Sequence, residues 1–345
     1  MAYSTISKPG LHFNTKLFTG TNGSGQSITG VGFQPDMIWI KHRTDISDHV
    51  LTDAVRGVTK YIRPNATDAE TTNAQAITAF GTDGFTHGTL DDIDSTGNVC
   101  SWNWKGNGAG STNTSGSINS TVSVNTTAGF SIVKWTGDNN SSGTIGHGLG
   151  VAPSFYVVKR LDATDNWYAY SKFVGNTKVL YLDLTNSQSG ASINYWNNTD
   201  PTTTVFTVGD AFRSTGNYIA YCFADKKGYS KFGSYTGNGN ADGTFIYTGF
   251  SPAFVMIKET TGTGKWVMKD NRRTGINVNQ STIYANETDA EGTPGYELID
   301  LLSNGFKQRG TGSYVNGSGT PYIYMAFAEE PLVANVGQGI PATAR

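Results

Sequence analysis

The sequence has few cysteines, few charges and no long hydrophobic run. Cys100 and Cys222 are its 2 cysteines among 345 residues, and they lie in separate strand-like stretches without a ligand or redox spacing. We therefore expect two unpaired, buried thiols. Only 15% of the residues are charged and the formal net charge is −2, which provides no basic surface for nucleic acid. No stretch approaches the roughly 18 apolar residues of a membrane span, and no signal-peptide pattern opens the chain. Nucleic-acid binding, membrane insertion and export are thus not expected.

Motifs for catalysis, metal ions or cofactors are also lacking. The five histidines have no zinc-type spacing, and there is no nucleophile elbow of the form G-x-S-x-G. The stretch "GHGLG" at 146–150 is followed by a strand-like run, whereas a phosphate loop is followed by a helix, so it predicts a tight turn. The acidic stretch "DDIDSTGN" at 91–98 lacks the closing glutamate of a calcium loop. The sequence predicts no catalytic residue, no metal site and no cofactor.

Glycine and aromatic residues are what the sequence has in abundance. It contains 43 glycines, and 12% of its residues are aromatic. Together with many threonines, this composition favours short strands and tight turns over helices. The predicted fold class is all-β.

The sequence contains three similar units. When it is compared with itself, Pro35, Pro153 and Pro252 align, at offsets of 118 and 217 residues. The aligned units open on "KLFTGTNG", "VKWTGDN" and "GSYTGNG", and each closes on an aromatic strand-like run. A period this long predicts domain-sized folds rather than solenoid repeats. The proline-led runs are apolar on both faces, which indicates strands covered on both sides.

The sequence therefore predicts three tandem homologous β-sandwich-like units in one chain. We expect units 2 and 3, which no long spacer separates, to pack most closely. The predicted segments are an N-terminal arm at 1–15, unit 1 at 16–105, a linker rich in Gly, Ser, Asn and Thr at 106–128 that can add one edge strand at "STVSV", unit 2 at 129–228, unit 3 at 232–330 and a C-terminal tail at 331–345.

Three equivalent lysines end the proline-led strands: Lys41, Lys159 and Lys258. A lysine with a depressed pKa can act as a nucleophile, but one that recurs in every unit more simply extends to solvent or pairs with a carboxylate of its own unit. Local pairs are available in units 1 and 3, as Asp53 with Arg56 and Asp270 with Arg273. Their absence from unit 2 argues against a shared catalytic role.

Helices are predicted at only two places. The stretches "TDAETTNAQAITAF" at 67–80 and "TDAEGTPGYELIDLL" at 288–302 each begin with a threonine that has a glutamate three residues later. This spacing is that of a capping box, with Glu70 and Glu291 as the acidic partners.

One polar segment of unit 2 contains two aromatic residues, Tyr195 and Trp196, in "NYWNNTDP". An aromatic face flanked by amides can stack on a sugar ring, which makes these two residues candidates for glycan binding. The alternative is that Trp196 plugs the end of the sandwich.

Several long phrases resemble one protein family. They include "FTGTNGSGQSITGVGFQPDMIWIK", "HVLTDAVRGVTKYI", "IGHGLGVAPSFYVVKR" and the ending "IPATAR". Over essentially the whole chain, the sequence resembles virion structural proteins, often labelled tail-fibre-like, from tailed phages of marine bacteria and cyanobacteria. The resemblance implies a non-enzymatic protein that is made in the host cytoplasm and incorporated into the virion. It implies other virion proteins as partners and an oligomeric state within the particle.

Two roles within the virion, and one enzymatic alternative, follow from this resemblance. The first, and the one we prefer from the sequence, is a peripheral tail or fibre component that contacts the host surface, with glycan as a candidate ligand. The second is a head decoration (cement) or neck protein, in which three similar units imitate a trimer over a symmetric site. The third is a glycan-degrading tail enzyme, which would need two carboxylates about 5 to 10 Å apart in a groove. The sequence offers no such pair.

Overall fold

The computed structural model describes residues 4, 6–190, 193–333 and 341–342. In this part of the chain, strands and the turns between them dominate, and the only helices are short single-turn segments. No helix there is long and apolar enough to cross a membrane. The all-β prediction is confirmed.

The strands divide along the chain into three groups. The first group is β1 (Phe13–Gly20), β2 (Gln26–Thr29), β3 (Met37–His42), β4 (Val50–Asp53), β5 (Lys60–Tyr61), β6 (Thr71–Thr72), β7 (Ile77–Gly81), β8 (Gly84–His87) and β9 (Gly97–Trp104). The second is β10 (Ser111–Asn113), β11 (Ser120–Asn125), β12 (Phe130–Thr136), β13 (Ser142–Gly146), β14 (Phe155–Arg160), β15 (Trp167–Ser171), β16 (Leu180–Tyr181), β17 (Val205–Gly209) and β18 (Asn217–Phe223). The third is β19 (Ser230–Thr236), β20 (Phe245–Tyr247), β21 (Phe250–Glu259), β22 (Val267–Asp270), β23 (Ile283–Tyr284), β24 (Ile299–Leu302), β25 (Gly305–Gln308) and β26 (Pro321–Pro331). The helices are α1 (Asp91–Asp94), α2 (Ile193–Trp196), α3 (Ser313–Asn316) and two 3₁₀ turns, Pro9–Leu11 and Asp210–Phe212.

One strand order occurs in all three large sheets. The orders are β1-β9-β3-β4, β12-β18-β14-β15-β16 and β19-β26-β21-β22-β23, and all pairings are antiparallel. In each sheet the opening strand of the unit pairs with its closing aromatic strand, which in turn pairs with the proline-led strand. The proline-led strands β3, β14 and β21 therefore occupy equivalent places.

Each large sheet is covered on one face by a smaller sheet of the same unit. The smaller sheets are β2-β8-β7, β13-β17 and β20-β25-β24. Apolar side chains between the two layers form a separate core in each unit, as Ile38, Ile40 and Phe85 do in unit 1. All six residues of β3 are buried, because its other face is covered as well.

The opposite faces of the three large sheets meet in one shared core. Trp104, Phe223 and Phe327 occupy equivalent positions on the three closing strands, opposite Met37, Phe155 and Phe254, each of which follows the aligned proline by two residues. Their ring centroids form a closed triangle with separations of 6.3, 5.8 and 5.6 Å. The three units therefore surround a common centre in an approximately threefold arrangement.

This arrangement changes two expectations. The units are not separate packed domains, because each depends on the other two to cover one face of its large sheet. The shared core is also not confined to units 2 and 3, because all three units contribute to the same cluster.

Three predicted boundaries cut through strands. β1 begins at Phe13, inside the predicted arm, β19 begins at Ser230, before the predicted start of unit 3, and β26 runs one residue past its predicted end. The segment at 106–128 is more ordered than a linker: β11 pairs along the outer edge of β12, and β10 pairs with β11. Most of the predicted tail at 331–345 lies outside the described residues.

Both helix predictions are wrong. Residues 67–80 form turns and the short strands β6 and β7, and residues 288–302 form turns and β24. Neither glutamate acts as a capping partner. Glu70 pairs with Arg56 and Lys60, and Glu291 pairs with Arg43 and Arg273. Ion pairs outside the segment thus replace the local interactions that a helix would need.

The prolines and the "GHGLG" turn agree with simple backbone constraints. Pro35 and Pro153 lie two residues before β3 and β14, whereas Pro252 lies inside β21 at an irregularity of its pairing with β26.

His147 is buried, its Nδ1 accepts a hydrogen bond from the Leu149 N–H, and its Nε2 lies 3.2 Å from the Thr202 carbonyl oxygen. Gly148 and Gly150 have φ angles of 71° and 72°, so the turn requires the left-handed region.

Gly150 allows a clean test of this backbone requirement. No atom lies within 4 Å of the position that a Cβ would take there, so the Gly150→Ala change adds backbone strain without a clash. We expect the free energy of unfolding to fall by about 1 kcal/mol. Gly295 is the control, because its surroundings are equally open and its φ is not positive. Denaturant unfolding of both variants measures the change in the free energy of unfolding. Equal effects of Gly150→Ala and Gly295→Ala would contradict the requirement for a positive φ at Gly150.

Candidate functional site

The predicted glycan-binding residue Trp196 is fully buried. Its side chain is 0% exposed, its Nε1–H donates to the Lys178 carbonyl oxygen at 2.9 Å, and its ring packs against Tyr156 and Phe212. The indole therefore has no face free for a sugar, and the glycan-binding prediction is wrong for Trp196. Tyr195 is half-buried and packs against Tyr168, with 4.5 Å between ring centroids. The segment serves as packing in unit 2.

The three equivalent lysines are buried, which corrects the expectation that they extend to solvent or pair with a carboxylate. The amino groups donate to backbone carbonyl oxygens: Lys159 Nζ to Thr67 and Asp165 at 2.9 and 2.8 Å, and Lys258 Nζ to Thr185 and Glu259 at 3.2 and 2.8 Å. Lys41 Nζ donates to the His42 carbonyl oxygen at 2.7 Å. Burial lowers the pKa of each of these three lysines to about 8.

Two of these contacts cross seams between the units. The carbonyl oxygens of Thr67 and Thr185 lie on loops of units 1 and 2 and accept from lysines of units 2 and 3. The same two oxygens also accept the N–H groups of Asp165 and Gly264, each at 2.9 Å. At the third seam, Thr288 of unit 3 accepts the Ser47 N–H of unit 1 at 3.0 Å. Each unit thus extends one loop onto the next, and the third unit returns to the first.

A second set of contacts repeats around the same seams. The Nε1–H groups of Trp167 and Trp266 each donate at 2.8 Å to a carbonyl oxygen of the preceding unit, those of Arg63 and Tyr181. His49 takes the equivalent place in unit 1, with its Nε2 at 3.1 Å from the Tyr284 carbonyl oxygen. Its Nδ1 accepts the Trp39 Nε1–H, so the proton lies on Nε2. Burial lowers the pKa of His49 to about 3, and the ring is therefore neutral at pH 7.

The two Asp–Arg pairs lie at these seams. Arg56 Nε donates to Asp53 at 2.5 Å, Arg273 Nε donates to Asp270 at 2.6 Å, and all four side chains are inaccessible to solvent. Each aspartate also accepts a hydrogen bond from another unit.

These additional donors are aromatic side chains at equivalent positions of the closing strands. The Tyr221 hydroxyl of unit 2 donates to Asp53 at 2.7 Å, and the Trp102 Nε1–H of unit 1 donates to Asp270 at 3.0 Å.

The remaining seam, between units 2 and 3, has other residues at the positions of the aspartate, the arginine and the aromatic donor. Ser171 and Val174 take the places of the aspartate and the arginine, and Met325 takes the place of the aromatic donor. Val174 and Met325 both pack into the shared core. Donor and acceptor are thus present together in two seams and absent together in the third, which fits a structural role for the pairs.

The buried ion pairs and hydrogen bonds of the seams are contacts that stabilise the protein. Cys100 and Cys222 are free and buried, as expected. Within the described residues, no group of three or more His, Cys, Asp or Glu side chains could hold a metal ion. Sequence reasoning missed the loops at 67–70, 185–188 and 288–291, although the recurrence of "TDAE" in units 1 and 3 was a signal that could have marked two of them.

The fold and its seams define an all-β protein in which three units, each with a large and a small sheet, close around one core. The chain belongs to the family DUF7483, a domain of unknown function, whose model matches residues 8–331. No curated protein and no solved structure matches it.

The first prediction from the seams concerns Asp270. The change Asp270→Ser leaves the Arg273 guanidinium buried without its closest partner, so we expect the free energy of unfolding to fall by roughly 3 kcal/mol or more. The triple variant Asp270→Ser, Arg273→Val, Trp102→Met installs the residues of the third seam and should recover part of this loss. Denaturant unfolding compares the two. A triple variant less stable than Asp270→Ser would show that the seams are not equivalent.

The second prediction concerns the buried lysines. Their pKa is about 8 in the folded protein, below the ordinary value of 10.5, so between these pH values the unfolded chain binds more protons. The free energy of unfolding should therefore rise as the pH increases from 8 to about 9, below the range in which the buried tyrosines would titrate in the unfolded chain. Denaturant unfolding at a series of pH values measures this slope. The variant Lys258→Met should show a shallower slope, and a slope identical to that of the unchanged protein would contradict the burial argument.

Proposed function

We propose that the protein is a non-enzymatic structural component of a phage virion and occupies a position of threefold or quasi-threefold symmetry. The observation that carries the proposal is the closed ring of three similar units around the triangle of Trp104, Phe223 and Phe327. Such a chain presents a similar surface three times, as a trimer would, and so matches three equivalent neighbours. The assignment to a phage particle rests on the resemblance to virion proteins.

The burial of the ionisable residues supports a role without catalysis. Asp53 and Asp270 already hold arginines and aromatic donors inside the seams, where no substrate can reach them. The amino groups of the three equivalent lysines are enclosed by backbone carbonyl oxygens. These residues therefore favour a structural role over that of a glycan-degrading enzyme.

The geometry also changes the preference between the two virion roles. Of the two residues that the sequence offered for binding a host glycan, Trp196 is buried. The threefold arrangement favours a head decoration (cement) or neck protein, with one chain, rather than an oligomer, at each symmetric site. The peripheral tail or fibre role is the second proposal, and an exposed aromatic residue beside three lysines at the junction of units 2 and 3 favours it.

The proposal is tested on particles that lack the protein. Purified protein is added to such particles, which are then imaged by electron microscopy with symmetry averaging. We expect one extra density at threefold or quasi-threefold positions of the head or neck, and immunogold labelling of complete virions at the same place. The variant Gly295→Ala serves as a folded control that should bind normally.

Three other outcomes separate the alternatives. Labelling confined to the tail tip, together with binding to host cells, would favour the peripheral tail role. Density spread over positions without threefold symmetry would contradict the geometric argument. Absence of the protein from every virion preparation would contradict the virion assignment itself.

A further inference from the structure

A pocket at the junction of units 2 and 3 combines several lysines with an exposed aromatic residue. The pocket has a volume of about 410 Å³, and Lys226, Lys227, Lys231 and Tyr247 contribute to its walls. Lys226 and Lys227 lie between β18 and β19, Lys231 is the second residue of β19, and Tyr247 ends β20. The junction therefore brings together residues that are distant in sequence.

The positive charge of this pocket is not neutralised by the described residues. Asp225 is the only carboxylate among the residues that line it, and it is already engaged. It accepts hydrogen bonds from Lys172 Nζ at 2.6 Å, from the Ser154 hydroxyl at 2.7 Å and from the Phe232 N–H at 2.8 Å. None of the three lysines forms an ion pair with a carboxylate of the described chain. A bound anion would supply the missing counter-charge.

Lys226 is partly buried, and burial disfavours the charged form of its amino group. Burial lowers its pKa, since no opposite charge offsets the loss of solvent. Its methylene groups pack near Gly129 at the start of unit 2. An anion in the pocket would stabilise the charged form.

The aromatic side of the pocket is unusually open. Tyr247 is 58% exposed and Phe245 is 43% exposed, while Ile246 between them points into the core of unit 3. The two rings therefore lie on the outer face of β20. Gly249 lies beside Tyr247, with the tyrosine hydroxyl 3.5 Å from the position that a Cβ would take. A planar ring beside cations that pair with no described carboxylate suits a ligand with one apolar face and an acidic substituent.

We propose that this pocket binds an acidic sugar residue, whose carboxylate or sulfate contacts the lysines and whose ring lies on Tyr247. A polynucleotide fits less well, because it requires a basic track along the surface and the chain has a net charge of −2. The inference does not depend on where the protein sits in a virion.

The test measures binding of defined oligosaccharides to the full chain by calorimetry and nuclear magnetic resonance. The probes are an oligogalacturonate, a sulfated oligosaccharide, a neutral malto-oligosaccharide of the same length, and inorganic phosphate. We expect at least one acidic oligosaccharide to bind, more weakly as salt is added, and the neutral one not to bind. The double variant Lys227→Gln, Lys231→Gln should weaken binding about tenfold or more.

Two further variants make the result specific. Tyr247→Ala should weaken binding of the acidic sugar about fivefold or more and leave the affinity for phosphate unchanged. The variant Lys8→Gln, Lys134→Gln makes the same change in net charge away from the pocket and should bind like the unchanged protein. Circular dichroism verifies that each variant is folded.

Several results would overturn the inference. One is the absence of binding by either acidic oligosaccharide at millimolar concentration. Another is equal weakening by the two double-lysine variants, which would indicate general attraction to the protein. A third is phosphate binding as tightly as the sugars with no effect of Tyr247→Ala, which would define a simple anion site. A single-stranded oligonucleotide that binds more tightly than any sugar would replace the proposed class of ligand. None of these results bears on threefold placement, which is measured separately on particles.

Discussion

The central constraint on this protein is that each large sheet has two apolar faces and only one small sheet to cover them. The smaller sheet of a unit buries one face, and the other face, with residues such as Trp39 and Met256, requires partners from outside the unit. Three such faces can cover one another around a common centre. The aromatic triangle of Trp104, Phe223 and Phe327 is the result, and each closing strand that carries it lies between the opening strand and the proline-led strand of its sheet.

The seams follow from this geometry, because sheets that meet around a centre bring backbone edges and loops together. Backbone carbonyl oxygens at these edges must find donors, since an unpaired buried polar group is costly. Lys159, Lys258, Trp167 and Trp266 supply them from the next unit. The Asp–Arg pairs add further contacts at two seams. At the third seam, Val174 and Met325 show that apolar residues can occupy the equivalent positions. The repeated backbone contacts, rather than the ion pairs, are thus common to all seams.

Much of the fold could be predicted from local sequence patterns. The offsets between the prolines located three equivalent strands, and the apolar character of β3, β14 and β21 indicated burial on both faces. What failed depended on contacts between units. Glu70 and Glu291 form a capping-box spacing with their threonines, but ion pairs with Arg56 and Arg273 hold them outside any helix. The lysines looked like strand-end residues that reach water, because the carbonyl oxygens that enclose them come partly from another unit. Trp196 follows a polar segment in sequence but lies under Tyr156 and Phe212 in space.

The closed ring has a consequence for synthesis of the chain. Arg43 donates two hydrogen bonds of 2.9 Å to Glu291, a residue 248 positions later. Phe327, the last member of the aromatic triangle, is made later still. Since a growing chain emerges from its N-terminus, unit 1 leaves the ribosome with the inner face of its sheet uncovered and waits for most of the remaining sequence. The order of translation therefore makes β26, the last strand among the described residues, the element that completes burial of the shared core. A chain truncated before β26 would lose the packing of unit 1 as well as that of unit 3.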